Sequence, residues 1–383
     1  MLSWRYIGHP AAGGAEILTH EILRRLAADG HEVTAFAAAH PGAPSEGLLD
    51  GVRLVRRGRP WTVHIEAWRW LRSRRHAFDR IVDQVNTVPF LTPLYVSRQR
   101  RRLFICQLAQ EYWFRETRGP FRVVAPLGYL AEPWYLRAYR STEVVTISRS
   151  TADDLKALGV GRTGLSIIPM ALPTPPLGSL EPKTGPWRIV VLGRLTPAKF
   201  VEEALDVFAA VRRRLPDARL DIVGEGDPVY RRRLETRAVG AGRGGVFFHG
   251  KVGEDRKLEL LREARVHLFC SHREGWGLTV TEAVVMGTPS VGYDVPGVRD
   301  SIAEPVLLAP SGDTDGLAQR VLALRADPQT YERVREAAWE RTLSLSYDAT
   351  ASAFAVAIGV SPCPPLNRSP MPSSVTRTSR RGT

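Results

Sequence analysis

Cysteine is scarce in this sequence, and its three cysteines, Cys106, Cys270 and Cys363, are scattered along the chain. An odd, dispersed set excludes the disulfide framework of small secreted domains and gives no metal-ligand spacing, whereas it fits a reducing cytoplasm. The sequence also lacks a Cys-x-x-Cys pair, a zincin motif, a Walker loop and the residue order of a Ser-His-Asp triad. The chemistry that each of these motifs carries is therefore not indicated, and no bound metal is implied.

Long apolar runs are missing as well. No run approaches the roughly 18 residues that a membrane span requires. The opening segment MLSWRYIGHP lacks the apolar core of a signal peptide. The sequence therefore predicts a cytoplasmic protein.

Lysine is rare, so arginine supplies almost all of the positive charge in a chain whose formal net charge is +13. Such a charge suits an anionic partner, which would be a nucleotide, a phospholipid surface or a nucleic acid. A solvated arginine-rich surface explains the same charge, and charge alone favours that interpretation.

Short apolar stretches alternate with helical patterns along most of the chain. The segment GAEILTHEILRRLAADGHEVTAFAA places apolar residues at helical spacing and then closes with Gly30 and an apolar strand from Val33. In a later unit, Ser150 and Asp153 form a capping-box pattern before a helix. Alternation of this kind predicts parallel sheets covered on both faces.

The length of 383 residues accommodates two domains, each with its own core. The proline- and glycine-rich segment PTPPLGSLEPKTGP predicts a linker between them, and the first strand is predicted to be short, with few residues before Tyr6. Two doubly wound, Rossmann-like α/β domains would face a central cleft at the carboxyl ends of their strands, where ligands bind in such sheets. The predicted ranges are an N-terminal domain over 1–175, a linker over 176–186, a C-terminal domain over 187–345, a helix packing back on the N-terminal domain over 346–360 and a disordered tail over 361–383.

The segment HREGWGLTVTEAVVMGTP, residues 272–289, holds two glutamates around a Gly-Trp-Gly run. Glycine opposes helix interiors and suits tight loops, so we predict Glu274 in a loop and Glu282 in a short helix that begins near Thr279. The backbone amides of residues 277–279 would then be free at a helix N-terminus, which is an anion site. The segment is predicted to hold a phosphate, with one carboxylate on each side for hydroxyl groups.

The segment VVLGRLTPAKF follows a predicted strand with Gly193 and Arg194 and reaches Lys199 just before a helix. Both cations would lie on the cleft side, where a diphosphate needs them. Each contributes roughly 4 kcal/mol of attraction to a charge about 4 Å away at an effective dielectric near 20. The alternative is two surface cations beside a turn. The presence of the Glu274–Glu282 segment in the same chain makes this alternative weaker.

Three further loops follow predicted strands. Gly13 and Gly14 precede the first helix, where paired glycines let the backbone approach an anion closely, although most such pairs are simply turns. In FFHGKV, the Lys251 and Val252 backbone could bind a base edge, and a plain exposed loop is an equal alternative. DIVGEGD lacks the third glycine of a dinucleotide fingerprint, so we interpret it as a turn lining the cleft.

Together, GGAE, VLGRLTPAK and EGWGLTVTEAVVMGTPSV resemble glycosyltransferase family 4, the retaining nucleotide-sugar enzymes of the GT-B fold, in order and spacing over nearly the whole chain. The resemblance implies an acceptor-binding N-terminal domain and a nucleotide-sugar-binding C-terminal domain, without metal or cofactor. A hexose would move from a nucleotide-diphosphate sugar to a hydroxyl of a cell-envelope glycolipid, a polysaccharide or a metabolite.

The resemblance also implies roles for individual residues. Arg194 and Lys199 would bind the donor diphosphate, Glu274 would hold the transferred sugar, and these three are the candidate catalytic residues. Glu282 would accept hydrogen bonds from the ribose. Gly13 and Gly14 would close over the phosphate from the N-terminal domain. The candidate donor-binding residues are Gly13, Gly14, Gly193, Lys251, Val252, Gly275, Trp276, Gly277, Leu278, Thr279 and Glu282.

One residue departs from the family pattern. In LFICQLAQEYWF, Cys106 stands where the family often has a histidine that approaches the transferred sugar from the acceptor domain. A thiol is a weak hydrogen-bond donor and cannot replace that histidine. Either Cys106 only packs there, or the chain is a weakly active or inactive nucleotide-sugar-binding homologue.

Two readings from other classes are weaker. A basic nucleic-acid-binding protein would need a nucleic-acid motif, and none surrounds the Arg/Trp-rich segment RPWTVHIEAWRWLRSRRH, so no nucleic acid is expected. A nucleotide-sugar epimerase or dehydrogenase would need a full glycine-rich fingerprint after the first strand.

The same segment raises the question of a lipid-linked acceptor. Trp61, Ile65, Trp68 and Leu71 recur at three- to four-residue steps, which predicts one apolar helical stripe among arginines. Such a stripe suits peripheral contact with an anionic membrane at its inner face. The alternative, that it packs on the N-terminal sheet, is slightly favoured.

Overall fold

The computed structural model describes residues 1–10, 12–110, 113–114, 125–241 and 245–361. Its strands form parallel sheets in two α/β units, which confirms the predicted fold class. From residue 362 onward, the predicted disordered tail lies outside the described residues. None of the helices in the described part of the chain is long and apolar enough to cross a membrane.

The N-terminal sheet has the order β2-β3-β1, then the first residues of the chain, then β4-β5-β6-β7. Leu2 bridges Phe36 and Asp83 in parallel and so joins the two parts of the sheet. The first strand is thus reduced to a single bridging residue, in line with the short strand expected before Tyr6. Its strands are β1 (Thr34–Ala37), β2 (Glu46–Leu49), β3 (Val52–Arg56), β4 (Ile81–Val85), β5 (Arg101–Ile105), β6 (Glu143–Thr146) and β7 (Leu165–Ile167).

Helices cover both faces of this sheet. Because successive side chains of a strand point to opposite faces, Phe104 of β5 packs against one layer while Leu103 and Ile105 pack against the other. The first layer holds α1 (Gly14–Ala28), and the second holds α2 (Val63–Arg72), α3 (Ala125–Arg137) and α4 (Arg149–Ala157).

The last described helix returns to the N-terminal sheet. It packs against α1, and its Phe354 ring lies 5.4 Å from that of Phe104, centroid to centroid. Asp348 accepts a hydrogen bond from Arg25 of α1 at 2.6 Å, and the Thr350 hydroxyl donates to the Pro169 carbonyl at 2.9 Å. This helix, α12 (Tyr347–Ile358), therefore packs on the N-terminal domain, although it follows the C-terminal strands in sequence.

The C-terminal sheet has the order β10-β9-β8-β11-β12-β13, and every neighbouring pair is parallel. This order reverses direction between β8 and β11, which is the position where doubly wound sheets bind ligands. The strands are β8 (Arg188–Leu192), β9 (Arg219–Val223), β10 (Val246–Gly250), β11 (Val266–Phe269), β12 (Ser290–Tyr293) and β13 (Leu308–Ala309). The helices are α5 (Val201–Arg214), α6 (Pro228–Ala241), α7 (Glu254–Glu263), α8 (Leu278–Val285), α9 (Val298–Ile302), α10 (Thr314–Ala326) and α11 (Pro328–Thr342).

Two local predictions need correction. The N-cap of α4 is Ser148, whose hydroxyl accepts the Thr151 amide hydrogen bond at 3.2 Å, so the capping pattern predicted at Ser150 is wrong by two residues. The apolar stripe predicted on α2 is also divided. Leu71 is buried in the core, as is its neighbour Trp70.

The remaining residues of that stripe face solvent. Trp61 is 65% exposed, Ile65 51% and Trp68 39%. The helix therefore packs one side on the sheet and presents Ile65 and Trp68 outward, and Trp61 is exposed just before the helix begins. Packing on the sheet does not account for these three side chains.

Candidate active site

The predicted cations lie at the carboxyl ends of β8 and β11. A small cavity there is lined by Gly193, Arg194, Lys199, Phe269 and Ser271, among others. Residues from two neighbouring strands and their loops therefore meet at the switch point of the C-terminal sheet, as the sequence predicts.

The end of β9 and the turn that follows it hold the loop that carries Arg194. The Gly193 amide donates to the Val223 carbonyl at 3.0 Å, and the Leu195 amide donates to the Glu225 carbonyl at 2.8 Å. Gly224 has φ +140°, and a Cβ atom there would lie 1.8 Å from the Gly193 carbonyl oxygen. DIVGEGD thus has a supporting role that sequence reasoning missed, because only glycine permits this close approach.

Lys199 and Glu274 form an ion pair, Nζ to Oε1, at the edge of the cavity. Their side chains are largely buried, with 25% and 12% exposure. The Lys199 ammonium also lies 5.7 Å from the centroid of the Phe269 ring. The two candidate catalytic side chains therefore fix each other's positions, although they are 75 residues apart in sequence.

The start of the Glu274 loop is held by a network that the sequence did not reveal. His272 Nε2 lies 2.9 Å from Glu203 Oε1, and the Tyr293 hydroxyl donates to Glu203 Oε2 at 2.5 Å. The His272 ring stacks on Phe200 with centroids 3.9 Å apart. Glu203 lies on α5, immediately after the loop that carries Lys199, so the network couples the two predicted motifs.

The Gly-Trp-Gly run ends at Gly277, and α8 begins at Leu278, one residue before the helix start predicted near Thr279. Gly277 takes φ +89° as the N-cap, a left-handed conformation that favours glycine. The Trp276 indole donates to the Thr281 hydroxyl at 2.8 Å. The predicted loop-to-helix transition is therefore confirmed.

Two buried hydroxyls near this helix have no hydrogen-bond partner within the described ranges. They are Ser271 Oγ, which lines the cavity, and Thr279 Oγ1, in the first turn of α8. Because buried polar groups are normally paired, both are suited to satisfaction by a polar ligand.

Glu282 lies in α8 and forms an ion pair with Lys257 of α7, Nζ to Oε1, at 2.9 Å. Burial raises the pKa of Glu282, whereas the charge of Lys257 lowers it. Lys251 is exposed and Val252 is half-buried, and both lie in the short loop that precedes α7. The loop of Lys251 and Val252 leads into α7, and the ion pair between Lys257 and Glu282 joins α7 to α8.

The Gly-Gly loop of the N-terminal domain meets α8 across the cleft. A Cβ atom at Gly14 would lie 2.1 Å from Leu278 Cδ1, so the Gly14 backbone packs directly against the Leu278 side chain. The Gly13 amide donates to Glu16 Oε2 at 2.8 Å, which fixes the turn before α1. Two segments that the sequence singled out, about 260 residues apart, are therefore in contact. Within the described ranges, no group of three or more His, Cys, Asp or Glu side chains is placed to hold a metal ion.

Two family models match the chain, one for each α/β unit. The model of Glycosyltransferase Family 4 matches residues 12–174, and that of Glycosyl transferases group 1 matches residues 178–341. The chain belongs to glycosyltransferase family 4. The resemblance predicted from the three motifs is thereby confirmed.

Individual relatives match half of the chain or more. Glycogen synthase of Mycobacterium tuberculosis is 26% identical over 395 aligned residues, which cover 90% of each chain. Phosphatidyl-myo-inositol mannosyltransferase of Mycobacterium leprae is 30% identical over 51% of this chain and 50% of its own. Sucrose-phosphate synthase of Thermosynechococcus elongatus superposes with a TM-score of 0.72 at 20% identity, covering 93% of this chain and 96% of its own. Such likeness confirms the GT-B fold.

In this glycosyltransferase, Cys106 lies beside the candidate donor site. A Cβ atom at Gly275 would be 2.7 Å from the Cys106 carbonyl oxygen. Burial raises the pKa of the Cys106 thiol to about 12, so the thiol is neutral at physiological pH. The backbone of Cys106 therefore contacts the Glu274 loop, while its thiol provides no charge.

The glycosyltransferase also has polar contacts between its domains that sequence reasoning missed. Asp300, in α9, accepts hydrogen bonds from the Arg149 and Ser150 amides at the start of α4, at 3.0 and 3.2 Å. Arg273, next to Glu274, pairs with Asp154 of the same helix. Each carboxylate is far from its partner in sequence: 151 residues separate Asp300 from Arg149, and 119 residues separate Asp154 from Arg273. No local signal therefore predicts these contacts.

Proposed function

We propose that the chain is a retaining hexosyltransferase that uses a nucleotide-diphosphate sugar and glycosylates a hydroxyl acceptor. One observation carries this proposal. Arg194 and Lys199 line one cavity, Glu274 from a distant segment pairs with Lys199 at its edge, and the Gly14 loop of the other domain contacts the start of α8.

The proposed reaction begins with departure of the diphosphate. The bond between the anomeric carbon and the phosphate oxygen breaks, and an oxocarbenium-like state develops at the sugar. Negative charge then grows on the leaving oxygen, where Arg194, Lys199 and the α8 amides would stabilise it. Preorganised donors of this kind are usually the largest catalytic contribution. Because side-chain cations and amides supply this stabilisation, we propose that the reaction needs neither a metal nor a cofactor.

The acceptor hydroxyl would attack from the face that the leaving group occupied. Its oxygen bonds to the anomeric carbon, and its proton passes to the departing phosphate oxygen. Glu274 would hold hydroxyls of the transferred hexose, and its ion pair with Lys199 supports this role because it keeps the carboxylate next to the diphosphate site. Glu282 would bind the ribose.

Thermal denaturation with added ligands tests the proposed donor class. A nucleoside diphosphate at about 100 times its Kd should raise the free energy of unfolding by roughly 2.7 kcal/mol. NAD should give no stabilisation, and neither should an oligonucleotide. Stabilisation by NAD would favour a dehydrogenase, and stabilisation by the oligonucleotide would favour a nucleic-acid-binding protein.

The acceptor is the less constrained part of the proposal, and one surface favours a lipid-linked acceptor. A second helix, α3, also has exposed apolar side chains: Leu127, Leu130 and Trp134 are 64–72% exposed. Both helices contact the same segment between β4 and β5, because His64 Nε2 lies 3.2 Å from the Val88 carbonyl and the Tyr135 hydroxyl donates to the Thr87 carbonyl at 2.8 Å.

Arginines accompany the exposed tryptophans on both helices. The Arg72 guanidinium lies 5.4 Å from the Trp68 ring centroid, and that of Arg137 lies 5.2 Å from the Trp134 centroid. Tryptophan beside a cation suits the interface of an anionic bilayer, where each arginine contributes about 1 kcal/mol. We therefore propose peripheral attachment at the cytoplasmic face of a membrane.

Vesicle flotation checks this attachment. The protein should float with vesicles that contain anionic lipid at low salt, and high salt should weaken the binding. The double variant Trp61→Ala, Trp68→Ala should lose it, whereas Val356→Ala, exposed on α12 at the other face of the sheet, should not. Trp70 is unsuitable because it is buried. A wild-type protein that stays at the bottom under all conditions would indicate a soluble acceptor.

A further inference from the structure

Lys257 lies between two carboxylates at the edge of the candidate donor site. Its ammonium is 2.9 Å from Glu282 Oε1 and 2.7 Å from Glu254 Oε1. Lys257 and Glu282 are largely buried, with 17% and 20% exposure, whereas Glu254 is 60% exposed. The contact with Glu282 joins α7 to α8, and the contact with Glu254 stays within one turn of α7.

The two contacts differ in what they do. A pair between neighbours on an exposed helix surface contributes little to stability. The contact with Glu282 is different, because a carboxylate removed from water is destabilised in its charged form unless an opposite charge lies nearby. Lys257 supplies that charge from a different helix.

We propose that Lys257 is a positioning residue for donor binding, which holds Glu282 ionised and fixes the orientation of its carboxylate toward the nucleotide ribose. The inference rests on the proposed ribose contact of Glu282. It adds a residue outside the three family motifs, in the segment GEDRKLEL. Lys257 itself would not touch the reacting atoms.

The charges around Glu282 determine how removal of Lys257 would change the pKa of Glu282. Lys257 and Glu254 act on it from α7, and the charge of Glu282 in turn raises the pKa of the Tyr347 phenol of α12. Burial and Glu254 both raise the pKa of Glu282, and Lys257 opposes them. Without Lys257, the pKa of Glu282 rises further, so the ionised form is lost as pH falls.

The test compares four variants by the donor KM, the kcat and the affinity for a nucleoside diphosphate between pH 6 and 9. Lys257→Met should raise the donor KM about tenfold at pH 7, because Glu282 loses both the opposite charge that favours its ionised form and the contact that orients it. The increase should grow as pH falls, and kcat should change little. Lys257→Arg should recover most of the affinity.

Two variants separate positioning from a purely structural role. Glu254→Gln removes the exposed partner of Lys257 together with a charge that raises the pKa of Glu282, so it should not raise the donor KM. Adding Glu282→Gln to Lys257→Met should abolish the pH dependence, because the titrating carboxyl is gone. A structural role would lower thermal stability without changing the pH profile of KM.

The result that overturns the inference is a Lys257→Met protein that binds donor as tightly as the wild type across the whole pH range. If Lys257→Met fails to fold, the pH profile of Lys257→Arg decides. A donor KM close to that of the wild type at every pH supports the inference, and a tenfold rise in KM that does not vary with pH contradicts the proposed ionisation. A wild-type protein that binds no nucleoside diphosphate refutes the proposed function instead.

Discussion

Replacing either Arg194 or Lys199 with alanine is expected to lower kcat by about 100-fold or more, because negative charge on the departing diphosphate would then lack one of its two cations. Both residues line the cavity at the carboxyl end of β8, and neither belongs to the hydrophobic core. The fold should therefore survive. Initial rates at saturating donor, together with thermal denaturation of the same samples, measure the two effects.

A matched control removes a positive charge from the same domain. Arg256→Ala, on the exposed side of α7, should keep kcat within about twofold of the wild type, as expected for a surface substitution. Lys199→Ala should also destabilise the protein modestly, since it leaves Glu274 without its partner. If either active-site variant unfolds while its activity per folded molecule is intact, that residue is structural.

The two glutamates are expected to give different kinetic results. Glu282→Ala should weaken donor binding by about 1–3 kcal/mol, the range for a lost charge-assisted hydrogen bond. Glu274→Ala should lower kcat more than it raises the donor KM, because its proposed partner is the sugar at the reacting centre. Steady-state kinetics with varied donor separate the two parameters.

The glutamine variants test whether charge or shape matters at each position. Glu282→Gln and Glu274→Gln keep the side-chain size and remove the charge that Lys257 and Lys199 pair with. Glu336→Ala, exposed on α11, is the control for a lost carboxylate. Wild-type activity in both alanine variants would mean that the segment from Glu274 to Glu282 is not the donor site.

Sequence reasoning was most successful where a local pattern determines local structure. The glycines around Trp276 predict a loop and then a helix, and α8 begins at Leu278, one residue from the expected start. The helix predicted just after Lys199 begins at Val201. Local rules work here because caps and glycine conformations depend on adjacent residues.

Contacts between segments that are distant in sequence could not be predicted from local patterns. The pairing of Lys199 with Glu274 and of Arg273 with Asp154 depends on how the strands and domains pack, and no periodicity encodes it. Supporting residues such as Gly224 were missed for the same reason. Their function is to allow close approach of a second segment, which is visible only in three dimensions.

The tryptophans of α2 show a limit of helical periodicity. A spacing of three to four residues indicates a stripe, but it does not indicate which side of the helix meets the core. In the structure, Trp70 and Leu71 face the sheet, whereas Trp61 and Trp68 face outward. A helix that is apolar on two sides gives an ambiguous pattern, since both sides repeat with the same period.

The central claim, that a nucleotide-diphosphate sugar reacts at the Arg194–Glu274 cleft, is tested most directly by nucleoside diphosphate release. The wild-type protein and Arg194→Ala are incubated with a panel of GDP-, UDP- and ADP-sugars, and the released nucleoside diphosphate is measured. We predict that the wild type releases it from at least one donor and that Arg194→Ala is slower by about 100-fold or more. Equal rates for the two proteins would contradict the proposed site, and a wild-type protein that binds donors but releases nothing would identify an inactive homologue.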